Sequence, residues 1–225
     1  MPEILFQDDY LVAVNKPHGL LTHRTRLAAD AEEFALQLVR NKIKRRVFPV
    51  HRLDRKTSGV LLFGLNPEMA KQLQKAFSEK AVNKKYLAIV RGWFPQAIEV
   101  DKPLTNDRGK TQEALTRFEC INKTEVDLPF GKFKTSRYSL IAAYPHTGRM
   151  HQIRKHLNHL RHPIIGDRPH GCNKQNKLFK EKWEMTTMLL HAEKIALPHP
   201  ESGDVLTIAA PPFETFLRMK NILNL

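Results

Sequence analysis

No stretch of this chain approaches the roughly eighteen consecutive apolar residues of a membrane span, so no membrane-spanning helix is expected. The start, Met1-Pro2-Glu3-Ile4-Leu5-Phe6-Gln7, lacks a basic segment followed by an apolar one and does not read as a secretory signal. Cysteine is nearly missing. Cys120 and Cys172 lie far apart and belong to no metal or redox motif, which points to a reducing cytoplasm. No internal repeat, low-complexity segment or Ser/Gly linker interrupts the sequence. Acidic residues are also short, 23 against 37 lysines and arginines.

What is present is a real core and a strong positive charge. Apolar residues make up 41% of 225 residues, too many for a disordered chain and enough for one domain, with or without two lobes. The formal net charge of +14 is the usual electrostatic footprint of a nucleic-acid binder. The cations are clustered. Arg40 to Arg46 holds five in seven residues; Lys80, Lys84 and Lys85 form a second group, and Arg149, Arg154, Lys155, Arg161 and Arg168 a third. Several such patches suit a folded polyanion contacted through its phosphates.

Hydrophobic spacing gives a coarse map. Residues 3–15 read as a strand pair ending in the turn Asn15-Lys16-Pro17-His18-Gly19. Phe34, Leu38, Val39 and Ile43 place a helix over 31–44. Val60 to Leu65 is a buried strand, followed by a helix with Asn66 as N-cap and Pro67 at its first position. Lys85 to Val90 is a second buried strand, and 101–136 reads as a strand or two joined by polar loops. Arg137 to Tyr144 is a strand, and a helix begins near His151 and is broken by Pro163. Residues 188–197, a turn at 201–204 and 205–209 read as two strands, and Phe213, Phe216, Leu217 and Leu223 as a closing helix. Strands outnumber helices without alternating regularly with them. The expected class is α+β, a mixed and mainly antiparallel sheet flanked by helices and loops.

The most informative segment is His51-Arg52-Leu53-Asp54-Arg55-Lys56-Thr57-Ser58-Gly59, which sets Asp54 among three cations. Nearby cations favour an ionised carboxylate. An anion in a basic field is badly placed to bind phosphate and well placed to act on something attached to phosphates.

Four blocks occur in order: Asn15 to Gly19, His51 to Gly59, Lys85-Tyr86-Leu87-Ala88-Ile89-Val90-Arg91-Gly92, and Thr147-Gly148-Arg149-Met150-His151-Gln152-Ile153-Arg154-Lys155-His156. Pro163-Ile164-Ile165-Gly166-Asp167 follows. Together they resemble the A-type family of large-ribosomal-RNA pseudouridine synthases, over nearly the whole chain. The resemblance implies the pseudouridine synthase catalytic fold with a bent sheet, in a single domain spanning 1–225 with no separate N-terminal RNA-binding domain. It implies isomerisation of uridine to pseudouridine in structured RNA, without cofactor, metal or energy source. Within the family, the short N-terminus, His159 to Asp167 and Gln175-Asn176-Lys177 are most similar to members acting on uridine 65 in the T-stem of tRNA. Ribosomal RNA stays open as substrate, and a monomer is expected.

Residue by residue, Asp54 matches the family's catalytic aspartate, as nucleophile at the sugar, in addition to the ring, or as a base. Arg154 matches the basic residue that pairs with it. Tyr86 matches the active-site tyrosine, whose ring can stack on uracil and whose hydroxyl can act in the last proton removal. Arg52 matches the arginine that enters the space left by a flipped base, and Ile153 the aliphatic residue packed in the site. His51, Arg149 and His151, from the same blocks, are expected to contact substrate. T-stem recognition would then rest on shape, phosphates and base flipping, because duplex RNA hides its base edges.

Two other readings compete. His151, His156, His159, His162 and His170 invite a metal site, but their spacing fits no standard zinc pattern. A metal-dependent nuclease would need several clustered carboxylates, and only Asp54 and Asp167 lie near the blocks. A non-catalytic RNA-binding protein explains the charge equally well. It gains nothing from an anion facing phosphates.

Overall fold

The computed structural model describes residues 1–23 and 33–225. In chain order its elements are β1 (Glu3–Gln7), β2 (Leu11–Lys16), α1 (Ala35–Ile43), β3 (Phe48–Pro49), β4 (Ser58–Gly64), α2 (Pro67–Ser78), β5 (Asn83–Arg91), β6 (Ala97–Asp101), β7 (Leu104–Thr105) and β8 (Thr111–Gln112). They continue with β9 (Leu115–Val126), β10 (Ser136–Pro145), α3 (Gln152–His159), α4 (Asn173–Trp183), β11 (Leu190–Pro198), β12 (Val205–Ala209) and α5 (Glu214–Ile222). The class is α+β with mostly antiparallel pairing, as the sequence predicts. No helix among the described residues is long and apolar enough to cross a membrane.

The chain forms two compact units, Met1–Lys84 with Ala192–Pro212, and Lys85–His191 with Phe213–Leu225. In the first, β2 pairs antiparallel with both β1 and β4, and β11 with β12. Every residue of β4 is buried, which explains its unbroken apolar run. Gly59, also buried, is required at its position. Its φ is +108°, and a side chain there would collide with the Ala192 carbonyl. Leu11, Ala13, Leu62, Leu73, Ile195 and Ile208 belong to the unit's core. The predicted cap holds: the Asn66 side chain accepts from Met69 N at 2.8 Å, with Pro67 in the first turn. The first positions of the helix expected over 31–44 lie outside the described residues, and α1 is described from Ala35.

In the second unit β10 lies between β5 and β9, and β6 pairs with β9. Alternation along a strand sends successive side chains to opposite faces. Leu87 and Ile89 therefore pack in one cluster with Phe179 of α4 and Phe216 and Met219 of α5. Ala88 and Val90 pack in another with Ile153 and Leu157 of α3.

Two elements differ from the sequence reading. The strand expected within 101–136 is the 12-residue β9, longer than its sequence suggests because its second half is largely exposed and carries Asn122, Lys123, Thr124 and Glu125. Helix α4 is not legible: of its 11 residues only Gln175 and Phe179 are buried, too few to set a period. Helix α3 ends at His159, ahead of Pro163, and Arg161 follows at a φ of +62°.

Candidate active site

In the first unit the first two sequence blocks are laced together. Lys16 and Gly59 are register partners across β2 and β4. Gly19 N donates to Arg55 O at 2.8 Å, and Arg55 Nε returns a bond to Gly19 O at 3.1 Å. Asp54 sits between two fastened residues. Before it, buried Leu53 bonds through its N–H to Thr22 Oγ1 at 3.3 Å; after it, Thr57 N donates to Asp54 O at 3.0 Å. The backbone that carries the carboxylate is thus fixed on both sides, and the side chain itself is half-buried. Arg52 is exposed.

Lys16 is the residue here that sequence reasoning missed. Its side chain is fully buried, and Nζ donates to the carbonyls of Pro17, Leu20 and Arg55 at 3.0, 2.7 and 3.2 Å. Burial pulls its pKa down to about 7, and the Asp54 charge acts in the opposite sense. The signal was its place in β2, where Lys16 continues the alternation of Val12 and Val14 into a buried position.

His51 and His18 of this unit are held neutral. His51 Nε2 accepts from Leu62 N at 3.1 Å, so that nitrogen carries no proton, and the ring stacks on Phe77 at 4.7 Å. Burial, then the Lys84 charge, pull its pKa down to about 3. His18 is drawn to about 4 by burial and by Lys16 and Lys56.

In the second unit the third and fourth blocks meet on one face. Tyr86, two residues before Ala88 on β5, shares its side of the strand and packs against the cluster that holds Ile153. The loop before α3 is fastened by buried Gln152. Its Oε1 accepts from Thr147 Oγ1 at 2.7 Å and Arg149 N at 3.0 Å, and its Nε2 donates to Leu115 O at 3.0 Å and Thr116 Oγ1 at 2.9 Å. Arg149 Nε donates to Glu113 O at 2.9 Å.

Arg154 is buried, and its guanidinium forks onto Asp167: Nε to Oδ2 at 2.7 Å and Nη2 to Oδ1 at 2.8 Å. Asp167 is positioned in turn by the strand-like segment before it. Arg91 N donates to Pro163 O, Ile165 N to Ile89 O, and Leu189 N to Ile165 O, at 3.1, 3.0 and 2.9 Å. Thus β5, which carries Tyr86, also sets the carboxylate that orients Arg154. Sequence reasoning placed Asp167 in a block without giving it this role.

The histidine group divides. His156 is fully buried between Thr116 Oγ1 and Lys102 O, at 3.0 and 3.1 Å, and His162 Nδ1 meets Arg91 O at 2.9 Å. His151, at a φ of +57°, meets His170 across a 2.9 Å contact of Nδ1 with Nε2. A hydrogen bond between two ring nitrogens needs one of them to be an acceptor, so the pair carries at most one shared proton in that bond. Burial and the Arg154 charge keep the His170 pKa low. Among the described residues no group of three His, Cys, Asp or Glu could hold a metal ion.

The family model described as RNA pseudouridylate synthase matches residues 10–159, which include Asp54, Tyr86 and Arg154. The chain belongs to the RNA pseudouridylate synthase family. Its relatives there include tRNA pseudouridine synthase C of Vibrio parahaemolyticus, 42% identical over 96% of this chain and 93% of the relative. The protein of that name from Haemophilus ducreyi is 44% identical over 92% of this chain and 90% of its own. Among solved structures, human RNA pseudouridylate synthase domain containing 4 superposes with a TM-score of 0.74 at 26% identity, over 99% of this chain and 93% of that one. As a pseudouridine synthase, the chain is an isomerase acting on RNA, and its positive charge has its explanation in that substrate.

Proposed function

We propose that this protein isomerises uridine to pseudouridine in tRNA, at uridine 65 of the T-stem. The observation that carries this reading is the similarity, over nearly their whole length, to relatives whose name is tRNA pseudouridine synthase C. Its first requirement is a positive surface for a folded RNA, and the net charge of +14 supplies it.

In this reading Asp54 is the catalytic carboxylate, acting on the sugar–base linkage as nucleophile or base. The N1–C1′ bond of uridine breaks, the base turns, and C5 bonds to C1′. C5 then gives up its proton and N1 gains one, so the reaction balances without redox change or co-reactant. Arg154 supports the Asp54 charge, and its own orientation is fixed by Asp167. Tyr86 stacks on the uracil and takes part in removing the C5 proton. Ile153 packs beside the base. Arg52, exposed on the segment that carries Asp54, fills the space left by the flipped nucleotide. Arg149 and His151 contact the RNA at the start of α3, whereas His51, expected to contact substrate, has its Nε2 taken by Leu62 N and its ring stacked on Phe77, and backs the Asp54 segment instead. The two units act as one catalytic domain, in a monomer, in the cytoplasm. The free thiols of Cys120 and Cys172 suit that setting.

Incubating the purified protein with tRNA and ribosomal RNA transcripts, and mapping pseudouridine in cells with and without the gene, tests this. The expected result is one modified position in the T-stem, lost on deletion. Loss of a ribosomal site with tRNA unchanged would move the substrate to ribosomal RNA. Binding to tRNA with no product would leave a binder only.

A further inference from the structure

A hollow of about 360 Å³ lies in the second unit against one face of α4. Asn173, Asn176, Lys177 and Lys180 line it from the helix, and Gly166 and Arg168 from the turn that follows α3. Residues three and four apart share a helix face, so 173, 176, 177 and 180 make one continuous stripe. The other side of the helix is anchored in the core by Gln175 and Phe179. None of the residues lining the hollow is acidic, and three are cationic. A competing anion close by is Glu181, 3.6 Å from Lys177 in a pair exposed at 75% and 61%. Such an exposed pair contributes little and gives way readily to another anion.

The hollow is built rather than incidental. Asn176 Oδ1 accepts from Gly166 N at 2.8 Å, and its Nδ2 donates to Asp167 O at 2.7 Å. These bonds clamp the backbone of the turn that carries Arg168 to the helix that carries Lys177 and Lys180. Gly166 permits the close approach: its φ is +84°, and a side chain there would meet the Thr187 carbonyl. The same Asp167 holds Arg154 through its carboxylate. The lining residues, 166–186, fall beyond the residues matched by the family model, 10–159.

We infer that this hollow is a docking site for the phosphodiester backbone of the RNA. The chemistry is that of backbone positioning: lysine, arginine and amide groups gathered on one side of a hollow that Met185 and Thr186 complete. It rests on the RNA substrate proposed above and adds a second anchor to it. A phosphate held there is linked through Asn176 and Asp167 to the side chain that orients Arg154.

The test is binding of unmodified tRNA transcript to the full-length protein across a salt series. The variants are Lys177→Ala/Lys180→Ala, and Lys177→Arg/Lys180→Arg as a charge-retaining control. Loss of two phosphate contacts should reduce the slope of log affinity against log salt by about 1.8, roughly 0.9 per cation. The alanine variant should bind about tenfold more weakly at low salt, with the arginine control restoring the slope. RNA should also protect Lys177 and Lys180 from acetylation in the wild-type protein. An unchanged slope and affinity in the alanine variant, with wild-type binding intact, would overturn the docking site and leave the substrate reading standing. Equal protection by polyglutamate would overturn the commitment to RNA in favour of an acidic protein partner. A wild-type protein that binds no tRNA would remove the substrate reading itself.

Discussion

Arg154 and Asp167 meet at two points, Nε to Oδ2 at 2.7 Å and Nη2 to Oδ1 at 2.8 Å, with side chains only 5% and 1% exposed. A buried pair of this kind does little for net stability, because desolvation offsets the attraction. Its effect is to fix direction. The fork holds the guanidinium plane, and Asp167 is itself held by His170 N at 3.3 Å and, through its carbonyl, by Asn176. This makes Asp167 a positioning residue for Arg154.

Asp167→Ala should therefore take a buried carboxylate partner from Arg154 and cost about 3–5 kcal/mol. Urea unfolding measures this. Arg154→Met/Asp167→Leu, which removes both charges, should recover most of that stability and none of the turnover. A double variant as unstable as the single one would show that the pair acts through packing.

Lys16 gives a pH signature. Its pKa falls from 10.5 to about 7 in the folded protein. Between those values the unfolded chain keeps a proton that the folded protein has released, so stability rises with pH across this window, by up to ~1.4 kcal/mol per pH unit. Below about pH 7 both states are protonated and this contribution is flat. Lys84, lowered to about 8, acts in the same direction, so Lys16→Met is the needed reference. The stability of wild type minus that of Lys16→Met should climb from pH 7 to 10. A constant difference would mean that Lys16 titrates normally.

Tyr86→Phe should keep the ring in its cluster and remove only the hydroxyl. Stability should change by less than about 1 kcal/mol, while kcat falls by roughly 10²–10⁴ with little change in tRNA affinity. Single-turnover kinetics separate the two effects. An unchanged rate would take Tyr86 out of the chemistry.

Arg52→Ala should harm turnover most on a duplex T-stem, where extruding the base costs a few kcal/mol, and least on an unpaired strand. Comparing kcat/KM on the two substrates reads this directly. Equal losses would reduce Arg52 to a phosphate contact.

Much of the architecture is legible because it rests on local signals. The Asn66 cap and Pro67 fix the start of α2, and alternation from Arg137 to Tyr144 marks β10. What is not legible depends on long-range partners. A strand within 101–136 is expected, but the extent of β9 is set by its pairing with β10, which runs from Thr116 to Val126. The site shows the same division. Asp54, Tyr86 and Arg154 stand in ordered blocks, so sequence could single them out. Lys16 and Asp167 owe their roles to burial and to partners 39 and 13 residues away, Arg55 and Arg154, which spacing alone does not connect.

The most direct measurement is pseudouridine formation by Asp54→Asn on a tRNA transcript, read beside RNA binding by the same preparation. The side chain keeps its size and loses its charge. Affinity for tRNA should stay within about twofold of wild type, and turnover should fall by more than ~10². An Asp54→Asn protein that still converts uridine at a comparable rate would contradict catalysis by the carboxylate.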